Sequence, residues 1–241
     1  MSGHSHAKTV MATKMANDAK KGKIYSKYGR LITIAVKEGG GSGDPVKNAK
    51  LKTAVEQAKS MNMPKENIER AIKKGTGELA GELLESVTYE GFGPGGIAII
   101  INGITDNTNR TLGEIRSILN QNGGKIAGEG AVRWMFDKKG AITVPLEGKP
   151  KEDLELLAIE LGAEDVSERE NNLDIYTKPE DLEKIKKELE DKKIKITSAT
   201  TDLMPKEEVE LSEKDKAAAQ RLFDALDEND AVNDIYSNIK N

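Results

Sequence analysis

Between Gly140 and Thr201 the hydrophobic period alternates between that of a strand and that of a helix, and this alternation constrains the fold more than any other feature. Ala141–Val144 reads as a strand, and Lys151–Leu161 as a helix with Leu154, Leu157, Ala158 and Leu161 inward. Asp165–Arg169 and Leu173–Thr177 read as a hairpin about Asn171-Asn172. A second helix carries Leu182, Ile185 and Leu189, preceded by a capping box of Thr177 with Glu180, and a strand follows near Lys195–Thr200. The order β-α-β-β-α-β is the ferredoxin-like split unit, complete in itself. The tail is thereby left over. Glu207–Glu210 reads as a strand, Ser212–Asp227 as a helix with Ala219, Leu222, Phe223 and Leu226 inward, and Val232–Tyr236 as a last short apolar run. A lone strand-helix-strand piece cannot bury its own sheet.

The sheet that lacks a partner lies upstream. Ser86–Glu90 and Ile97–Asn102 are short β-prone runs, followed by a helix from Thr108 to Asn122 with Leu112, Ile115 and Leu119 inward. Glycine-rich sequence then leads into Ala131–Phe136, read as a strand with Trp134 in the core. The tail is expected to return and complete this sheet. The expected architecture is an α+β multi-domain chain: an N-terminal all-α domain over 1–80, a discontinuous middle α/β domain over 82–136 and 204–241, and a ferredoxin-like α/β domain over 137–203 inserted into it.

The first 80 residues carry helical periodicity. Ile24, Tyr28, Leu31, Ile32 and Ala35 mark one helix from about Gly22 to Lys37, and Met11, Met15 and Ala19 a shorter one before it, with Gly22 as the break. Glycines 39, 40, 41 and 43 with Asp44-Pro45 form a loop. Leu51, Ala54, Val55 and Ala58 mark a further helix, and Pro64 opens another with Ile68 and Ile72, ending at Gly75.

Charge is divided unevenly. The whole chain holds 37 Lys+Arg against 41 Asp+Glu, but residues 1–77 hold 16 basic and 6 acidic residues, a net of +10, and the remainder 21 and 35, a net of −14. A basic, acid-poor segment suits a polyanion that the acidic remainder would repel. On the Gly22–Lys37 helix, Lys23, Lys27, Arg30 and Lys37 fall in one sector, extended by Lys20, with Lys21 beside them and Lys8 and Lys14 upstream. Such a stripe neutralises phosphates without reading sequence. Arg70, Lys73 and Lys74 form a second cluster at a helix C-terminus, where the helix dipole also favours cations. Tyr25 is placed either to stack on a base or to pack in a small core.

Catalytic hardware is sparse. The chain has no cysteine and two histidines, His4 and His6, both near the start, so thiolate sites, histidine-based nucleophile activation and a metal site with a third soft ligand are all unsupported. Gly91, Gly93 and Gly96 spell GxGxxG, but a strand rather than a helix follows, and the run reads as a turn. No pair of carboxylates is placed by spacing for acid–base work. The longest apolar run, Ile97–Ile101, is far short of the roughly 20 residues of a membrane helix. These features lead us to expect a cytoplasmic, non-enzymatic protein with no cofactor, no metal, no small-molecule substrate and no membrane partner.

Several motifs are recognisable: Met1-Ser2-Gly3-His4-Ser5, the run Asn17–Lys27, the run Asn62–Gly75, Tyr89-Glu90-Gly91-Phe92-Gly93-Pro94-Gly95-Gly96, Thr105-Asp106-Asn107-Thr108-Asn109-Arg110-Thr111, and Met204-Pro205. Together they resemble the YebC/PmpR family, which includes the mitochondrial translational activator of cytochrome oxidase subunit one. The resemblance spans nearly the whole chain. It implies three domains with the third inserted into the second, and no enzymatic activity. It also implies a nucleic-acid-binding regulator, a probable transcriptional regulator on promoter DNA and/or a translation factor on ribosomal RNA that relieves stalls at proline-rich stretches, with the ribosome as a candidate partner. Many members continue Gly-His-Ser with Lys-Trp, whereas His6-Ala7-Lys8-Thr9-Val10-Met11 stands here, which leaves Lys20–Arg30 as the firmer match. A lysine stripe with few Asn, Gln or Arg suits backbone and shape recognition, and tilts the reading toward ribosomal RNA. The competing class is a protein-binding adaptor whose acidic domains dock a basic partner; an acyl-phosphate hydrolase on a ferredoxin-like scaffold would need a glycine-rich donor loop that residues 140–201 lack.

Overall fold

The computed structural model describes residues 18–146, 150–169 and 171–240. They divide into two compact units. One holds residues 18–132 and 212–235, the other residues 133–211 with 236–240.

The first unit begins with three helices, α1 (Asp18–Glu38), α2 (Ala49–Ser60) and α3 (Lys65–Thr76). Gly22 does not break α1 as the sequence suggested: the helix runs through it. A mid-helix glycine costs about 1 kcal/mol relative to alanine, too little to interrupt a helix held by tertiary packing. Ile24, Tyr28, Ile32, Ala35 and Val36 of α1 meet Leu51, Ala54, Val55 and Ala58 of α2 and Ile68 and Ala71 of α3 in one aliphatic core. The expected helix around Met11–Ala19 lies largely outside the described residues. Asn48 caps α2 by accepting from Leu51 N at 3.0 Å, while its amide donates to Ala35 O at 3.0 Å, fastening the helix start to the end of α1. At Gly75 a Cβ would stand 2.6 Å from Val36 Cβ, so only glycine permits the close crossing of α3 on α1.

The same unit continues into β1 (Glu85–Phe92) and β2 (Ala98–Thr105), an antiparallel hairpin in register from Glu85↔Thr105 to Phe92↔Ala98. The glycine run between them is a short 3-10 turn at Pro94–Gly96, as the turn reading of GxGxxG required. Helix α4 (Thr108–Gln121) and strand β3 (Lys125–Ala127) follow, and β3 pairs with β1. The tail supplies α7 (Glu213–Asp227) and β8 (Val232–Ser237), and the sheet order is β3-β1-β2-β8. Ile97–Ile101 are wholly buried, which explains an apolar run without alternation: both faces of β2 are covered.

The second unit holds β4 (Phe136–Pro145), α5 (Lys151–Glu160), β5 (Asp165–Arg169), β6 (Asn172–Thr177), α6 (Leu182–Asp191) and β7 (Ser198–Pro205). Its strand order, β5-β6-β4-β7 with every neighbour antiparallel, is that of the ferredoxin-like unit. Ile142, Val144, Leu173 and Ile175 of the sheet pack on Leu154 and Ala158 of α5 and Ile185 and Leu189 of α6.

The structure corrects several local expectations. Strand β4 starts at Phe136, because it pairs with β7 from Phe136↔Pro205 onward. The Thr177–Glu180 capping box does not form: α6 opens at Leu182, and the Thr177 hydroxyl donates to Lys178 O at 2.8 Å. Glu207–Glu210 is not a strand but a single parallel bridge, Val209↔Ile239. Ala131–Phe136 is not a strand either. Arg133–Met135 form a 3-10 turn, and Trp134, expected in the core, is 67% exposed.

Candidate nucleic-acid interface

The basic stripe of α1 is present as a stripe, but its middle, Lys23, Lys27 and Arg30, faces protein. The residues opposite it are the last turn of α7 and the loop behind it, Asp227-Glu228-Asn229-Asp230, within the same unit. Lys23 Nζ lies 2.8 Å from Glu228 Oε2. Lys27 Nζ donates to Asp227 O at 2.6 Å and stands 3.5 Å from Asp227 Oδ1. Arg30 Nη1 donates to Asp230 O at 3.0 Å. Asp227 closes α7, so its carbonyl is one of the groups a helix leaves without an internal partner, at the negative end of the helix dipole. Lys27 caps that end from another element.

The three cations differ in environment. The side chains of Lys27 and Asp227 are 4% and 8% exposed, those of Lys23 and Glu228 50% and 57%. Burial pulls the Lys27 ammonium below the ordinary lysine pKa, against the opposing pull of the Asp227 carboxylate. Lys23 moves the other way, raised chiefly by its hydrogen bond to Glu228. Arg30 also adds its charge near Asp106, whose carboxyl is held below its usual range first by the hydrogen bond from Arg110 and least by Arg30. The Lys27 head is therefore not open to a phosphate in this arrangement.

The second basic cluster is differently placed. Arg70, Lys73 and Lys74 of α3 are all exposed, and none of the three makes an ion pair among the described residues. Lys37, at the end of α1, is exposed in the same way, as are Lys47, Lys52 and Lys59, which form no contiguous run in the sequence. Lys50 is occupied by Glu38 at 2.7 Å, and that carboxylate also accepts from Ser86 Oγ, so its pKa falls below the usual range. Lys21 is half-buried. Lys20 lies in α1, and Lys8 and Lys14 lie outside the described residues.

Tyr25 resolves toward packing: its hydroxyl donates to Asn62 O at 2.9 Å, and its ring lies against the helical core. The Thr105–Thr111 motif serves the start of α4. Asn107 caps it by accepting from Arg110 N at 3.0 Å, and Thr111 Oγ1 donates to Thr105 Oγ1 at 2.8 Å in the interior. Glu90 of the Tyr89–Gly96 motif is buried and accepts from Gly130 N and Val132 N, both at 2.7 Å, fixing the loop that leads to Trp134. Among the described residues no group of three or more His, Cys, Asp or Glu side chains is arranged to hold a metal ion, and no helix is long and apolar enough to cross a membrane.

Two family descriptions match nearly the whole chain: the TACO1/YebC protein N-terminal domain over residues 5–78, and the TACO1/YebC second and third domain over residues 84–239. A probable transcriptional regulatory protein of Caldanaerobacter subterraneus subsp. tengcongensis is 46% identical over 241 residues, covering 100% of this chain and 98% of the relative. One of Pelotomaculum thermopropionicum is 47% identical over 240 residues, covering 99% and 98%. The crystal structure of a conserved hypothetical protein from Aquifex aeolicus superposes with a TM-score of 0.84 at 43% identity, covering 92% of this chain and 91% of that one.

Proposed function

The chain belongs to the TACO1/YebC family, and we propose on that footing that it regulates gene expression in the cytoplasm by binding nucleic acid, without catalysing a reaction. The observation that carries this reading is the set of exposed, unpaired cations on the helical region, above all Arg70, Lys73 and Lys74. Long-range attraction between these side chains and phosphates supplies affinity that falls steeply with salt. The names of the relatives, probable transcriptional regulatory proteins, support a role in regulation. Few of the exposed groups are suited to bidentate reading of base edges, which favours ribosomal RNA over promoter DNA and makes the ribosome a candidate partner, with relief of stalls at proline-rich stretches as the role.

The site is read here as Arg70, Lys73 and Lys74, joined by Lys8, Lys14, Lys20 and Lys21 from the N-terminal run. Lys23, Lys27 and Arg30 are assigned to the junction with α7 and act on binding through the fold. Converting Arg70, Lys73 and Lys74 together to Gln keeps helix propensity and removes three positive charges. The variant should lose affinity for every nucleic acid tested, with a salt slope reduced by up to about three. An unchanged slope, with helicity intact by circular dichroism, would remove the main support for the proposal.

A second reading has one observation of its own. On α5, Leu156 and Ile159 are exposed one turn apart among Glu152, Asp153 and Glu160, a face suited to a basic, apolar protein partner. Nuclease treatment separates the two: an adaptor retains its partner after nucleic acid is digested.

A further inference from the structure

Val46 is the most exposed large apolar side chain among the described residues, 92% in water, and it stands on a turn that is fixed on both sides. Single exposed aliphatics are ordinary on a protein surface, but this one is held out rigidly among unpaired cations. Before it, Asp44 N donates to Ser42 Oγ at 3.3 Å, and Asp44 Oδ1 accepts from Val46 N at 3.0 Å. Pro45 between them has its φ fixed by its ring. After it, Lys47 N and Asn48 N both donate to Asp44 O, at 3.0 and 3.1 Å. The buried Asn48 amide then ties the turn to Ser42 O at 3.2 Å and to Ala35 O of α1 at 3.0 Å. A Cβ at Gly43 would stand 3.0 Å from Ile72 Cγ2 and from Thr76 Cγ2, so the turn rests on the end of α3. Valine is β-branched and stiff about χ1, so backbone and side chain are both set before any ligand arrives.

The same contacts gather cations around the turn, within the basic first 77 residues. Lys47 follows Val46, Lys37 lies two residues beyond the Ala35 carbonyl that Asn48 holds, and Lys73 lies one helical turn before the Thr76 on which Gly43 rests. All three are exposed, and none makes an ion pair or a side-chain hydrogen bond among the described residues. The neighbouring carboxylates are engaged: Glu38 by Lys50 and Ser86, Asp44 by the Val46 amide, Glu78 by the Thr76 hydroxyl. We propose that this end of the helical region holds an unpaired nucleotide of an RNA chain. Val46 packs on the face of the base and its ribose, and Lys37, Lys47 and Lys73 meet the flanking phosphates. An apolar point inside a basic rim is the complement of a nucleotide, whose base and sugar lie between charged groups. The proposal rests on the nucleic-acid reading above, extends its site from α3 to the turn at 42–48, and narrows its ligand. A base inside a duplex is stacked on both faces, and parting a step costs about as much as one buried valine returns, whereas an unpaired base has an open face.

The test separates the apolar contact from the charges around it. The full-length protein is titrated with a dye-labelled RNA hairpin bearing an unpaired loop, and with the blunt duplex of its stem, at several salt concentrations. Val46→Ser removes the apolar contact and no charge, so it should weaken the hairpin roughly three- to tenfold at an unchanged salt slope and leave the duplex as it was. Val46→Ile, which keeps the contact, should bind as the wild type does. The chain has no cysteine, so Val46→Cys carries a unique thiol. Labelled there with a benzophenone and illuminated, the protein should crosslink to nucleotides of the hairpin loop, and the same label on Leu156→Cys, exposed in the other unit, should not. Because the Val46 side chain lies in water, all three of its variants should keep the wild-type urea midpoint. Hairpin affinity unchanged in Val46→Ser, or crosslinks confined to the stem, overturns the nucleotide site while leaving the nucleic-acid reading in place. Failure of the wild-type protein to bind either RNA overturns both.

Discussion

Lys27 offers the sharpest test of how the α1 stripe is used. If its ammonium is a structural cap on α7, then Lys27→Met should act on stability before it acts on any ligand. Methionine fills similar volume, but it takes the Lys27 charge from beside the Asp227 carboxylate, 8% exposed, and the donor now 2.6 Å away from the Asp227 carbonyl. Removing one member of a buried pair costs about 3–5 kcal/mol, and we take the lower end, about 3 kcal/mol, because the carboxylate is 3.5 Å away and sits at a helix end near the surface. With a urea dependence of roughly 2 kcal/mol per molar, the midpoint of the first unit should fall by about 1.5 M. Far-UV circular dichroism at 222 nm is weighted toward this unit, which holds five of the seven α-helices among the described residues, whereas Trp134 emission follows the other. The double variant Lys27→Met/Asp227→Leu should recover part of the loss, because both charges leave together. A Lys27→Met midpoint within about 0.2 M of wild type would refute the capping role and return Lys27 to the pool of available phosphate contacts.

The remaining expectations are simpler to state. Because burial lowers the Lys27 pKa in the folded state, the unfolded chain binds the proton more readily between that lowered value and the ordinary one near 10.4, so this group's contribution to stability should rise with pH across that alkaline window. Comparing wild type with Lys27→Met by urea titration at several alkaline pH values isolates it, and a flat difference would refute it. Gly75→Ala should cost about 1–3 kcal/mol by thermal or urea unfolding, since the added methyl would meet Val36 Cβ at 2.6 Å. Excision of 137–203 with a short linker should leave a folded, cooperatively unfolding remainder if those residues are an inserted domain, and a molten product would count against the three-domain division.

Much of this architecture was legible because its signals are local. The ferredoxin-like unit announces itself through alternating periods and an Asn-Asn hairpin, each read within a dozen residues, and because that unit is complete without the tail, α7 and β8 must return to the upstream sheet. The failures share a different cause. Val132, Trp134 and Phe136 alternate as a strand would, which placed all three on one face; the 3-10 turn at Arg133–Met135 advances by about 120° per residue and swings the middle one outward. Gly22 failed because propensity is weak against the packing of Ile24 and Tyr28. The stripe on α1 was correct as a pattern and incomplete as an environment. Its partner, Asp227–Asp230, lies about 200 residues away, and nothing near Lys27 in the chain reports it.

That distant partner changes what the charge asymmetry means. A net of +10 over residues 1–77 is not a uniform field offered to a polyanion, because part of it is spent inside the first unit on an acidic turn contributed by the tail. The acidic turn presents carboxylate and carbonyl oxygens to Lys23, Lys27 and Arg30 much as a phosphate backbone would, which is why the stripe looks the same for either purpose when only α1 is inspected. The two uses separate by burial. Lys27 is enclosed and must act through the fold, Lys23 is half exposed in a pair that contributes little to stability, and Arg70, Lys73 and Lys74 have no carboxylate to leave. Charge removed from α3 should therefore change the salt dependence of binding at constant stability, and charge removed at Lys27 should change stability first. A substitution series that ranked these positions by loss of affinity alone would confuse the two, whereas one that measured the salt slope and the unfolding midpoint on every variant would assign each cation to the nucleic acid or to the junction with α7.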